Sequence, residues 1–416
     1  MVILRLRHAL GRHRLLALAL AGALSLLWAT PAATSPMTAD ATAPAPSPVT
    51  ASAPALTATG TPLRDGTGLY PRTVRLAHNG SANGRVLASV VTFDANNGIG
   101  AIHESTDSGT TFREVGRVAD PESAAGQGLC CSTLFELPRQ VGALPAGTLL
   151  WAASVGQDEQ NRRMALRIWR SNDVGRTWSY LSSCAVAGGT GGLWEPEFSI
   201  AADGALVCHY ADETDAAHSQ KLVAARSYDG VRWEGHHSTV ASSWAPDRPG
   251  MPVVRRLPNG TYFMSYEICN PGGQYQCVVH YRTSADGWNW GDPANLGIRP
   301  ETADGRYFRA APTIAWAPTP GGGSDGRILL IGQRLLNRDG TPAAGSGRTI
   351  LTNSRNGSGA WSAIASPVTV PNPDVNYCQN YSSPLLPSAD GRRLLQIATD
   401  FEGTVCRAYF ATAGLP

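Results

Sequence analysis

The sequence predicts an all-β protein, a six-bladed β-propeller, and three observations carry that prediction. The first is a turn phrase, Ser-x-Asp-x-Gly-x-Thr-aromatic, written in full at Ser105-Thr-Asp107-Ser-Gly109-Thr-Thr111-Phe112 and Ser171-Asn-Asp173-Val-Gly175-Arg-Thr177-Trp178. Shortened copies stand at Ser227-Tyr-Asp229-Gly230-Val-Arg-Trp233 and Ser284-Ala-Asp286-Gly287-Trp-Asn-Trp290, and a worn one at Ser354-Arg-Asn356-Gly357-Ser-Gly-Ala-Trp361. In each, Asp or Asn can bond the backbone ahead, Gly supplies a left-handed turn and the aromatic begins or ends a packed strand. One copy would say little; recurrence every roughly 55 to 70 residues marks a repeated unit of blade size. The second observation is composition: 45 Gly, 29 Pro and 11 Trp among 416 residues, with 16% charged, suit many short strands joined by tight turns.

The third is strand-like alternation at 85–93, 147–155, 164–169, 197–210, 262–267, 278–283, 327–333 and 393–399, most of it followed by Gly, Pro, Asp or Asn. Five blades carry the turn phrase. The segment after Gly66 and the C-terminal strands are expected to assemble the sixth, closing the ring without a long free edge.

Domain organisation follows from composition. Met1 to Ala33 reads as an export signal: Arg5, Arg7, Arg12 and Arg14, then the apolar stretch Leu15 to Trp28, then small residues at Ala32 and Ala33. A membrane anchor is the competing reading, but the apolar run falls short of the ~20 residues a span needs. Residues 34–63, nearly all Ala, Thr, Pro and Ser, cannot bury enough apolar surface to order themselves and read as a linker. The propeller is expected over 64–416. A net charge of +2 with scattered basic residues argues against nucleic acid or an anionic membrane surface as partner. A secreted or periplasmic monomer without cofactor is expected.

Eight cysteines in an exported chain point to disulfides. Cys269 with Cys277, Cys184 with Cys208 and Cys378 with Cys406 are plausible pairs by hairpin separation. The adjacent Cys130 and Cys131 are expected to stay free or reach elsewhere, because neighbours pair only awkwardly. No zinc-type spacing is present, so no metal is expected.

Two carboxylates stand out. In Trp194-Glu195-Pro196 an acid is held between apolar neighbours at a strand start, and in Tyr262-Phe-Met-Ser-Tyr266-Glu267 an acid ends an apolar strand. Such surroundings raise a carboxyl pKa toward that of a general acid. Strand ends of successive blades converge on a propeller's mouth, and two carboxylates there are the minimum kit for glycoside hydrolysis. An isolated strand-end Glu is more often a solvated surface group, so composition alone does not decide.

The turn phrases resemble the Asp-box of sialidase-type propellers. The segments Leu193-Trp194-Glu195-Pro196, Tyr210 to Leu222, Asp247-Arg248-Pro249-Gly250-Met251-Pro252 and Tyr262 to Glu267 resemble the signature segments of family-93 glycoside hydrolases, over roughly the central third of the chain. That resemblance implies a six-bladed retaining exo-1,5-α-L-arabinanase acting on linear arabinan, with Glu195 as acid/base and Glu267 as nucleophile. It also implies a supporting tyrosine, matched by Tyr381, with Tyr377 as rival. The stretch Asn372 to Asn380, with its Cys378, departs from the family pattern and puts the shape of the sugar pocket in question.

Trp194, His218, Gln220, Lys221, Arg248, Tyr266 and Arg75 are the candidate substrate contacts. For His218, Gln220 and Lys221 the competing reading is a polar hairpin, and for Arg248 a surface ion pair. Arg75 sits where a sialidase places the first arginine of a carboxylate-binding triad, with Arg248 or Arg309 as further members. An exo-sialidase, another propeller glycosidase, or a non-catalytic carbohydrate-binding propeller are the alternative readings.

Overall fold

In the computed structural model, residues 57–270, 273–320 and 326–416 are described; the export signal and most of the linker expected from the sequence lie outside them. Six antiparallel sheets form the blades of a propeller. Their innermost strands are Leu69–Arg75, Leu129–Glu136, Leu193–Ile200, Arg248–Arg256, Thr313–Pro318 and Leu385–Pro387, for blades one to six. The second strand of the second blade, Leu149–Val155, is buried along its whole length and reads as a near-continuous apolar run. The fourth blade is the broadest, its sheet extended by Tyr307–Arg309 and Arg334–Leu336.

The sixth blade closes the ring differently from the expectation. The segment after Gly66 heads the first blade, and the closing strand is Thr61–Pro62, which pairs with Phe410 and Tyr409 of Val405–Gly414. The expected linker boundary at residue 63 is therefore corrected: Ala58 and Leu63 are buried and Thr59 N–H donates to Thr369 O. Two residues of strand were too short to show as alternation in a Thr-Pro-rich context.

The repeated turns lie after the third strand of their blades. Asp107 accepts from the Thr110 and Thr111 N–H groups at 3.0 and 2.9 Å and from Thr111 Oγ1 at 2.6 Å, bonds that hold its carboxyl down at about 2. Asp173, Asp229 and Asp286 repeat the arrangement. In the worn copy, Asn353 takes the role that Ser plays elsewhere, accepting from Arg355 and Gly357 N–H. The aromatic after four of the five turns reaches the preceding blade: Phe112 meets Phe410 at 4.9 Å, Trp290 meets His209 at 6.0 Å and Trp361 meets Phe263 at 6.4 Å between ring centres. Trp233 Nε1 donates to Ser182 of the second blade. The phrase thus encodes both a hairpin turn and a wedge between blades.

Four disulfides occur among the described residues: Cys184–Cys208, Cys269–Cys277, Cys378–Cys406 and Cys130–Cys131. The last corrects the sequence expectation. The adjacent cysteines bond to each other at a bulge in the second inner strand, where Cys131 adopts φ of 60°.

Candidate active site

The site is built on a repeated irregularity. Near its start, each inner strand or the residues leading into it carries a non-glycine residue with positive φ: Tyr70, Cys131, Glu195, Met251, Ala311 and Ser382. In the first four blades this residue falls at a register shift, between Leu69 and Arg72, Cys130 and Thr133, Trp194 and Glu197, and Gly250 and Val253. A bulge adds an unpaired residue and re-aims its side chain and amide. Here it does so in the first four blades, while in the fifth and sixth the positive-φ residue lies just before the inner strand, at the same end of the ring. Met251 Sδ accepts from Tyr70 Oη at 3.5 Å and Tyr381 Oη at 3.7 Å, joining residues of the fourth, first and sixth blades.

Both predicted carboxylates lie in this ring. Glu195 is itself the bulge residue of the third blade; its Oε2 accepts from Met251 N–H at 2.5 Å, and its own N–H donates to Ser154 Oγ at 3.2 Å. Glu267 stands on the second strand of the fourth blade, opposite Gly250, and its Oε2 accepts from Ala311 N–H at 2.6 Å. Each carboxylate is therefore gripped by the bulge amide of the following blade, and Gly250–Met251 lies between the two. A Cβ on Gly250 would come within 2.6 Å of Gln220 Nε2 and 3.3 Å of Glu195 Oε2, so an added methyl would have to displace the Gln220 amide.

Electrostatics agree with the geometry. Both residues are half-buried. Desolvation, then the neighbouring charge of Glu195, pushes Glu267 up to about 8. Desolvation also raises Glu195, against the pull of the Met251 amide. Tyr381 is held well above the ordinary phenol value by burial and by both glutamates, so it stays a neutral O–H donor. Tyr377 instead packs edge-on against Phe401 at 5.4 Å, so of the two candidates Tyr381 is the one beside the glutamates.

Below the mouth the inner strands of all six blades enclose a channel of about 680 Å³, lined in part by Arg72, Glu197 and Arg255, that neither Glu195 nor Glu267 borders. Glu197 is tied there by Arg255 and by Thr133 Oγ1. Glu267, Cys269 and Cys277 cluster closely, but both sulfurs are committed to a disulfide and offer a metal ion no thiolate.

The other predicted contacts divide. Arg248 donates to Glu213, Gln220 Oε1 and Ser219, and Gln220 Nε2 donates to Pro249 O; together they brace the segment whose amide holds Glu195. His218 and Lys221 both bond Asp215 within their own hairpin. Trp194 is buried with the Arg162 guanidinium 5.7 Å over its ring. Tyr266 faces away from Glu267, fully buried, donating to Leu296 O, as adjacent strand residues must. Arg75 ends the first inner strand opposite Val86, whose neighbour Ser105 opens a repeated turn, so it lies at the far end from the glutamates.

Sequence reading missed Tyr70, Arg72, Ser154 and Met251. Arg72 lies 4.3 Å over the Tyr70 ring and donates to Ser382 Oγ at 2.8 Å. One signal was present: Pro follows the bulge residue in Tyr70-Pro71, Glu195-Pro196, Met251-Pro252 and Ala311-Pro312. Proline lacks the N–H that a bulge leaves without a ladder partner, so the recurrence marks the ring.

A six-bladed propeller with paired acids at its mouth defines the class, and solved structures share the fold. An α-L-arabinanase of Penicillium chrysogenum, solved with arabinobiose, is 29% identical at a TM-score of 0.68 over 86% of this chain and 98% of its own. The GH93 α-L-arabinofuranosidase of Fusarium graminearum, also solved with arabinobiose, is 26% identical at 0.68 over 86% and 98%. The resemblance to family-93 glycoside hydrolases thus extends from the central signature segments to the whole propeller. A Hadza microbial sialidase shares the fold alone, at 14% identity and a TM-score of 0.52 over 84% of this chain and 66% of its own. No protein-family model and no curated protein matches the sequence.

Proposed function

We propose that this protein is an exported glycoside hydrolase, a retaining exo-α-L-arabinanase acting on linear 1,5-linked arabinan. The observation that supports it most is the carboxylate pair, two raised acids each held by a neighbouring blade's bulge amide beside a neutral Tyr381. The likeness to arabinobiose-bound enzymes supplies the sugar.

In the proposed reaction Glu267 attacks the anomeric carbon while protonated Glu195 gives its proton to the leaving oxygen. Water then gives a proton to Glu195 and attacks the same carbon, releasing arabinose-ended product and the Glu267 carboxylate. The pair would stand roughly 5 to 5.5 Å apart, the separation of a retaining couple. Tyr381 would orient the nucleophile through its O–H. Arg75 lies at the wrong end, and Arg248 is engaged by Glu213; neither is placed for a sialidase's arginine triad.

One observation favours exchanging the two roles: Glu267 is raised to about 8, a setting that suits an acid keeping its proton at rest. Azide separates the assignments. With Glu267 as nucleophile, Glu195→Ala retains first-step activity on an activated aryl arabinoside and azide restores its turnover with retention; the same behaviour from Glu267→Ala reverses the roles. Absence of hydrolysis of debranched arabinan by the wild-type protein would end the arabinanase reading.

A further inference from the structure

The second blade breaks the proline pattern of the bulge ring. Where the first, third, fourth and fifth blades follow the positive-φ residue with proline, the second has Ser132 and the sixth Ser383, and in the second alone that residue is covalently bonded to the residue before it, Cys131 to Cys130. Both cysteines are buried. Cys130 pairs with Ser154 across the sheet, and Ser154 Oγ is the acceptor for the Glu195 backbone N–H. A continuous path therefore runs from the disulfide through one strand pair to the backbone of a proposed catalytic glutamate.

We propose that the Cys130–Cys131 disulfide is a positioning element of the active site: it locks the second blade's bulge, as proline does in the first, third and fourth blades, and so fixes Ser154 against Glu195. Proline acts by fixing φ and removing a donor; a bond between adjacent side chains likewise removes backbone freedom at the pair. Ser154 is held opposite Cys130 only while the bulge keeps its register, because a slip moves a side chain to the other face. The inference rests on the proposed role of Glu195 only for its effect on rate; the positioning of the Glu195 backbone stands on geometry alone.

Two measurements on Cys130→Ala/Cys131→Ala, with the other three disulfides intact, test it. Hydrogen exchange of the peptide spanning 190–198 should quicken in this variant and in Ser154→Ala, and combining the two should add nothing further, since both break one path. On arabinan, kcat should fall roughly tenfold with little change in KM, within the hundredfold that a small misplacement costs. Unchanged exchange at 190–198 in a folded double variant, or fully additive effects with Ser154→Ala, would overturn the proposal. If the wild type hydrolyses no arabinan, the exchange experiment decides the positioning by itself while the enzymatic reading falls separately.

Discussion

At the scale of single residues, the arrangement of Glu195 and Glu267 favours chemistry at the expense of stability. A carboxyl raised by burial binds its proton more tightly in the folded chain than in the unfolded one. Folding is therefore favoured at low pH and loses that contribution as pH rises from the ordinary Glu range toward about 8. Glu267→Gln removes the titration, so its melting temperature should decline less than the wild type's between about pH 5 and 8; parallel declines measured by calorimetry would show that Glu267 is not the responsible group. Gly250→Ala probes the spacing of the pair. The new methyl would meet Gln220 Nε2 and Glu195 Oε2, and turnover should drop about ten- to a hundredfold while the protein stays folded. Full activity in this variant would mean that the segment between the glutamates is slacker than the contacts imply.

Blades and turns separate stability from catalysis. In the third blade Leu193 is aligned with Asp212 and Lys221, whereas Ile200 is aligned with Leu206 and Ser227, so the turn at Asp229 lies at the end opposite Glu195. The second blade is ordered alike, Glu136 aligned with Leu149 and Ser171, so Asp173→Ala should cost on the order of 1 kcal/mol of stability and leave turnover of the folded enzyme intact. Trp361→Ala, which removes a buried wedge between the fifth and fourth blades, should cost about 3–5 kcal/mol. Chemical denaturation of both variants checks the order; an Asp173 variant that folds normally but fails in turnover would tie the turn to the site.

These elements also show what was legible in the chain. The turn phrases announced the blades because their chemistry is local, Asp to backbone within a few residues. Glu195 and Glu267 were legible through their apolar settings and through family resemblance. Tyr266 was misplaced because its neighbour points to the mouth and a strand alternates its faces. Arg75 was chosen for its likeness to a sialidase's first arginine, and the bulge between Leu69 and Arg72 that sets Arg72 at the mouth end is not visible in the sequence. Ser154 was invisible: an ordinary strand serine matters only once two blades are brought together.

The whole molecule is a ring, and its function depends on closure. Residues in contact across the mouth come from the first, fourth and sixth blades, so the site exists only when the last blade meets the first. The closing strand is two residues long, and deleting the chain through Pro62 should lower stability by about 2 kcal/mol, one for each lost ladder position. The most direct test of the central claim reads the stereochemistry of the reaction. Proton NMR of the sugar first released from linear 1,5-arabinan should show the α-anomer, retained, before mutarotation, and neither Glu195→Ala nor Glu267→Ala should release it at the wild-type rate. A first-formed β-anomer, or release undiminished in both variants, would contradict a retaining pair made of these two glutamates.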